Sequence, residues 1–264
     1  MTSALIGYTG FVGTTLLKQR PFEHLYRSTN IDEIAGRKFD LVVCAGAPAQ
    51  KWIANREPDT DRQKIEGLIG RLRTIVCSTF VLISTVDVFR SPIRVTEETA
   101  VEVEGLHPYG SHRRMLEAFV EQRFSNHLIV RLPGLVGPGL RKNVIFDFLN
   151  DNDLHAIDSR AVFQFYLMVN LWYDIQKALS LGLRLVHLTA EPISAAEVAA
   201  TGFGKTFDQV LPGAPAAYDM RSVHSESFAG KGGYQYSKRE TIQAIRAYAQ
   251  SEPRTVKARQ GASS

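Results

Sequence analysis

Only two cysteines, Cys44 and Cys77, occur in 264 residues, which excludes a disulfide-stapled scaffold. A reducing cytosol is therefore the expected compartment. No apolar run reaches the roughly 18 residues that a membrane-spanning helix needs. Residues 1–10 lack the charged flank and long apolar stretch of a secretory leader. The seven histidines show no His-x-x-x-His spacing and the cysteines no Cys-x-x-Cys, so no metal site is expected. A Gly-x-Ser-x-Gly elbow is missing too, which argues against an α/β-hydrolase. Charge of one sign is also scarce: 31 Lys and Arg against 27 Asp and Glu leave a net +4. Part of that excess lies in the tail at Arg254, Lys257 and Arg259, so no nucleic-acid partner is expected. What remains is an ordinary globular composition, 44% hydrophobic and 22% charged, in a chain long enough to bury a large core unaided.

The first half alternates short apolar runs with helical patterns, as βαβ units do. Strands are expected at 4–6, 24–28, 39–44, 79–84 and 127–132, and helices at 12–19, 60–77 and 109–124. Asn30 and Glu33 fit a capping box that opens a short helix. Beyond Pro133 the pattern loosens. Helices are expected at 144–149, 169–181, 193–200 and 237–250, a strand at 183–188, and loops over the Gly-, Ala- and Pro-rich stretch 202–233. No internal repeat is visible.

Gly7-Tyr8-Thr9-Gly10-Phe11-Val12-Gly13 spells Gly-x-x-Gly-x-x-Gly between the first strand and the first helix. Such a turn lets a pyrophosphate approach the backbone and meet the free N–H groups of the helix start. The order and the motif together predict an α/β, Rossmann-type, doubly wound parallel sheet that binds a dinucleotide. Gly7, Gly10, Phe11, Val12 and Gly13 are the expected cradle. At the end of the second strand, Arg27 and Ser28 favour NADP over NAD, because the nearest acids, Asp32 and Glu33, fall in the next helix.

Further segments follow in order. They are the strand and small residues ending in Cys44-Ala45-Gly46, then Ser84-Thr85-Val86-Asp87-Val88-Phe89, Tyr109-Gly110-Ser111-His112-Arg113 and Arg131-Leu132-Pro133-Gly134-Leu135. Over about residues 3–200 the chain thus resembles the extended short-chain dehydrogenase/reductase family, which includes nucleotide-sugar epimerases, dehydratases and reductases. The resemblance implies Tyr109 as acid/base and Thr85 as the hydroxyl that positions the reacting oxygen. Arg113 stands where the family has lysine, holding the ribose and favouring the phenolate. It also implies cofactor contacts at Cys44, Ala45, Gly46, Ser84, Tyr109, Arg113, Pro133 and Leu135. The run 163–175 is a weaker match that lacks the family's acidic pair.

A phenol of ordinary pKa near about 10 is a poor base at neutral pH, so a cation on the same helix face is required. Arginine keeps that charge with a larger, differently directed head. A working variant, a slow enzyme and a cofactor-binding protein without turnover all remain open. Val86 and Asp87 replace the acidic pair of the family's dehydratases, which favours an epimerase or reductase acting on a sugar nucleotide or similar polyhydroxylated substrate. The alternative is a catalytically impaired regulator or scaffold that binds the dinucleotide. Asp87, Arg141 and Arg221 are candidate substrate contacts, and core packing accounts for the aromatic run at Phe163–Tyr166 and Trp172-Tyr173 better than a ligand does. A second Tyr-x-x-x-Lys at Tyr234–Lys238 lies outside the expected strand order. The expected organisation is a dinucleotide domain at 1–140, rejoined by 163–190, a small substrate lobe mainly at 141–250, and a flexible tail at 251–264. A homodimer through the helices at 60–77 and 109–124 completes the picture.

Overall fold

The computed structural model describes residues 1–254; from residue 255 onward the expected tail lies outside the described residues. Strand β1 (Ser3–Ile6) runs into helix α1 (Phe11–Gln19) through the glycine turn. Then come β2 (His24–Tyr26), β3 (Lys38–Cys44), α2 (Lys51–Arg56), α3 (Pro58–Leu72), β4 (Val76–Thr85), β5 (Ile93–Val95), α4 (Pro108–Arg123) and β6 (His127–Leu132). The later part adds β7 (Gly134–Val136), α5 (Val144–Asn150), β8 (Val162–Phe163), β9 (Phe165–Leu167), α6 (Leu171–Ser180) and β10 (Leu185–His187). The chain closes with β11 (Ile193–Ser194), α7 (Ala195–Glu197), β12 (Asp219–Met220) and α8 (Lys238–Ser251).

Six strands form one parallel sheet in the order β10-β6-β4-β3-β1-β2. The order reverses between β1 and β3, and ligands of open α/β sheets bind outside the strand ends at such a point. Strand residues alternate between two cores. Val42 and Cys44 pack with Leu82, Ile65 and Leu72 beneath α3 and α4. Leu41 and Val43 pack with Leu16, Ile175 and Leu171 beneath α1 and α6. A third cluster, around Phe148, Phe165, Val198 and Ile245, joins α5, β9 and α8 into a smaller lobe beside the strand ends.

Three local expectations differ. The helix expected to reach residue 77 stops at Leu72, because the β-branched run Thr74-Ile75-Val76 opens β4, where Val76 pairs with Lys38. The capping box at Asn30 does not form. The Asn30 side chain accepts from the Arg27 N–H (2.7 Å) and donates to the Leu25 carbonyl (3.0 Å), leaving a single 3-10 turn at Ile31–Ile34. Ile193 and Ser194 pair with β8 instead of starting a helix; Ser194 and Glu197 then form the capping box of α7, which continues as a π turn. Helix α2 gave no periodic signal, being six residues long.

Candidate active site

At the reversal point Gly7 takes φ +85°, and a Cβ there would lie 2.4 Å from the Ala45 carbonyl oxygen. Gly13 lets α1 close onto the turn, since its Cβ would fall 2.1 Å from the Gly7 carbonyl oxygen. The third glycine is thus a packing residue, and it does not line the cavity described below. Gly10 caps α1 without a side chain, and no acid occupies the first turn. The helix start therefore offers free N–H donors to an anion.

From this turn a cavity of about 1210 Å³ runs across the strand ends. One end is bounded by Arg27, Ser28, Ile31 and Arg71, and the other by Thr85, Tyr109, Gln164 and Tyr218. Ala45, Gly46, Pro133 and Leu135 lie along its wall. Cys44 does not line it: strand alternation turns its side chain into the core beneath α3, where burial pushes the thiol up to about 11. Ser84 does line it, but its hydroxyl donates to Glu117 (2.6 Å). That carboxylate is fully buried and gripped at both oxygens by Arg131, at 3.0 and 2.8 Å. This network ties β4, α4 and β6 together directly behind the site.

Helix α4 carries the central pair. A Cβ on Gly110 would come 2.1 Å from the Asp87 carbonyl oxygen, so its absence lets α4 abut the turn after β4. Two further bonds fix the helix start: Tyr109 N–H donates to Asn55 Oδ1 (3.0 Å) and Gly110 N–H to His107 Nδ1 (3.0 Å). The buried Tyr109 phenol and Thr85 thereby face the same end of the cavity. Burial raises the phenol's pKa above the usual value; Arg113, Thr85 and Lys51 oppose that rise, while Asp87 adds to it.

Arg113 is 3% exposed, and its guanidinium lies over the Tyr109 ring, 4.0 Å from the centroid. It is held from behind by both oxygens of Asp61 and by the Pro48 carbonyl. His112 Nδ1 adds a 2.7 Å contact to Asp61. Arg113 Nε is left as a buried donor with no partner. The uncapped α1 N-terminus, open to the cavity, fits a pyrophosphate. The residues present therefore suit a dinucleotide.

Beyond Tyr109 the expected Asp87 lines the cavity, together with Lys51, Lys142 and Tyr218, which the sequence did not single out. Lys51 pairs with Asp87 (2.7 Å) and reaches the Tyr218 hydroxyl at 3.5 Å. Asp87 Oδ2 lies 3.4 Å from the Thr85 hydroxyl. Lys142 lines the same wall and donates to the Ala49 carbonyl. No motif marks Lys51, Lys142 or Tyr218, because their approach depends on loops far apart in sequence. Phe163 and Phe165 line the cavity, whereas Tyr166 is buried and bonded to Asp174 (2.6 Å). The aromatic run is thus divided between ligand wall and core.

Two expected substrate contacts are placed elsewhere. Arg221 is paired with Asp219 (2.8 and 3.0 Å) and lies outside the cavity lining, as does Arg141, whose neighbour Lys142 lines it instead. The second Tyr-x-x-x-Lys is split, with Tyr234 donating to Asp219 (2.5 Å) and Lys238 to Glu197 (2.7 Å).

No family model matches the chain, and no curated protein matches it. Solved structures do. A dTDP-4-dehydrorhamnose reductase from Clostridium acetobutylicum superposes with a TM-score of 0.72 at 17% identity, over 95% of this chain and 99% of that one. RMD from Pseudomonas aeruginosa, complexed with NADPH, gives 0.69 at 16%, over 96% and 100%. The Bordetella bronchiseptica enzyme WbmG, in complex with NAD, gives 0.72 at 16%, over 95% and 94%. At these identities the likeness is one of fold, and it extends over almost the whole of each chain.

Proposed function

We propose that the chain is an NAD(P)-dependent oxidoreductase of the epimerase/reductase type, acting on a sugar nucleotide or a similar polyhydroxylated substrate. The observation that carries this reading is the placing of Tyr109, Thr85 and Arg113 together on the wall of a cavity that begins at an uncapped helix N-terminus. Shared fold with a dTDP-4-dehydrorhamnose reductase and with structures holding NADPH and NAD supports it.

The backbone of Gly10, Phe11 and Val12 holds the pyrophosphate, and Arg113 borders the ribose beside Tyr109. A bound nicotinamide supplies or accepts the hydride. Thr85 orients the substrate oxygen, and Tyr109 gives that oxygen its proton in reduction or takes it in oxidation. Arg113, stacked on the ring, favours the phenolate form. NADP is the favoured cofactor: Arg27 and Arg71 border the adenosine end, whereas Asp32 is turned away into an ion pair with Arg71 (2.7 Å). Docking of a second copy on α3 and α4, and a cytoplasmic setting, belong to the same reading; sedimentation of the purified chain tests the dimer.

Calorimetric titration with NADP(H) and NAD(H) tests the dinucleotide site. Binding of neither would end the reading. Loss of NADP preference in Arg27→Ala assigns that arginine. Turnover by the native chain, abolished in Tyr109→Phe with cofactor affinity retained, separates an enzyme from a dinucleotide-binding regulator.

A further inference from the structure

The cavity wall is strongly biased in charge. Six cations line it, Arg27, Lys51, Lys64, Arg71, Arg113 and Lys142, against the single carboxylate of Asp87. Arg27 and Arg71 border the adenosine end, and Lys64 lies two helical turns from Arg71 along α3. The dinucleotide's own phosphates account for that half. Of the other three, Arg113 lies over the Tyr109 ring, Lys51 acts electrostatically on its phenol, and Lys142 is bonded to the loop that leads into Lys51.

Within that second group the charges are not balanced. Asp61 answers Arg113, and Asp87 answers Lys51. Lys142 has no carboxylate partner among the described ion pairs; the main-chain carbonyl of Ala49 is its hydrogen-bond acceptor. An ammonium carries three donors, so two remain for a ligand. Its side chain is solvent-exposed at the mouth of the cavity, where Arg113 and Asp87 act on it in opposite senses. The bond to Ala49 holds Lys142 against the loop that leads into Lys51, and Asp87 acts electrostatically on both lysines. Asp87 in turn lies 3.4 Å from the Thr85 hydroxyl. Tyr218 closes the group, 3.4 Å from Asp87.

We propose that Lys142 and Lys51 form an anion subsite beside Tyr109, so that the substrate carries its own acidic group, a carboxylate or a phosphate, close to the reacting carbon. This rests on the dinucleotide reading of the cavity and narrows its substrate to an acid-bearing sugar. Binding supplies Lys142 with its missing counter-charge. It also gives Lys51 a second acceptor beside Asp87, and Asp87 remains next to the Thr85 hydroxyl.

The test uses the full chain in a Trp172→Phe background, leaving Trp52, which lines the cavity next to Lys51, as the one tryptophan reporter. Glucose, glucuronate and glucose 1-phosphate are titrated by fluorescence, with NADPH titrated separately on each protein. The proposal expects at least one acidic sugar to bind about 10-fold or more tightly than glucose, the scale of one charge-assisted hydrogen bond. Lys142→Met should erase that preference with NADPH affinity held within about twofold, and Lys142→Arg should restore part of it. The arm that shows the preference names the group: glucuronate a carboxylate, glucose 1-phosphate a phosphate. Equal binding of all three sugars to the native chain would overturn the subsite. So would an acid preference that survives in Lys142→Met, which would make Lys142 only a clasp for the Ala49 loop. Failure of NADPH to bind while the acid preference persists would overturn the oxidoreductase reading instead.

Discussion

Replacing Asp61 by asparagine probes the support of the site most directly. Asp61 accepts from both terminal nitrogens of Arg113 and contacts His112, and the side chains of Arg113 and Asp61 are only 3% and 5% exposed. Breaking one side of a buried pair costs about 3–5 kcal/mol, because the surviving charge is left uncompensated. Arg113 keeps the Pro48 carbonyl, a long contact to the Tyr109 carbonyl (3.4 Å) and the Tyr109 ring, which places the expected loss at the lower end, about 3 kcal/mol. Urea unfolding followed by circular dichroism reads this as a midpoint lowered by roughly 1 M, with m near about 3 kcal/mol/M for a chain of this size. The double variant Asp61→Asn/Arg113→Met removes both charges and should recover most of the loss, since matched removal of a buried pair is close to neutral. A single-variant loss below about 1 kcal/mol would refute the claim that Arg113 is a buried, paired cation. A double variant as unstable as the single would show that the arginine contributes by packing alone.

Arg113→Lys should detach the cation from Pro48 and Asp61 and free it toward the phenol; a rise in turnover at unchanged cofactor affinity would mark the arginine as the limit on rate. Gly13→Ala drives a Cβ onto the Gly7 carbonyl and should cost about 1–3 kcal/mol, seen as a Tm lower by several degrees together with weaker dinucleotide binding. His187 donates from Nδ1 to the Arg221 carbonyl (2.9 Å), while Arg131 faces Nε2 at 3.3 Å. Burial, helped by Arg131 and opposed by Glu97 and Glu117, holds this imidazole down to about 4. As pH falls, the unfolded chain takes up that proton first. Stability should therefore decline between about pH 6.5 and about pH 4 by up to about 3 kcal/mol, and His187→Gln should flatten the decline in urea unfolding curves taken at stepped pH.

The parallel sheet and its glycine turn were legible along the chain because each rests on local chemistry. Runs such as Leu41-Val42-Val43 are apolar on both sides because two helical layers cover them. The spacing of Gly7, Gly10 and Gly13 follows from a tight turn and a close helix. Tyr109 and Arg113 share a helix face by periodicity alone, whatever they touch. Boundaries were legible only where one preference acted unopposed. At residues 73–77 helical periodicity competed with β-branching, and pairing with β3 decided it. Asn30 fitted a cap by type, yet a nearer N–H claimed its side chain.

The sequence by itself determined that a glycine turn, a hydroxyl and a phenol follow one another at strand ends and a helix start, since strand and helix periods carry that information locally. Tertiary structure alone decided what surrounds them. Asp61 reaches Arg113 across 52 residues, and Lys142 reaches Ala49 across 93. Such pairings depend on where separate loops meet above the sheet. Charges attract without regard to sequence separation, so no spacing rule marks them in advance. The charge on the cavity wall, and with it the kind of substrate the wall admits, becomes readable only once the chain has closed around it.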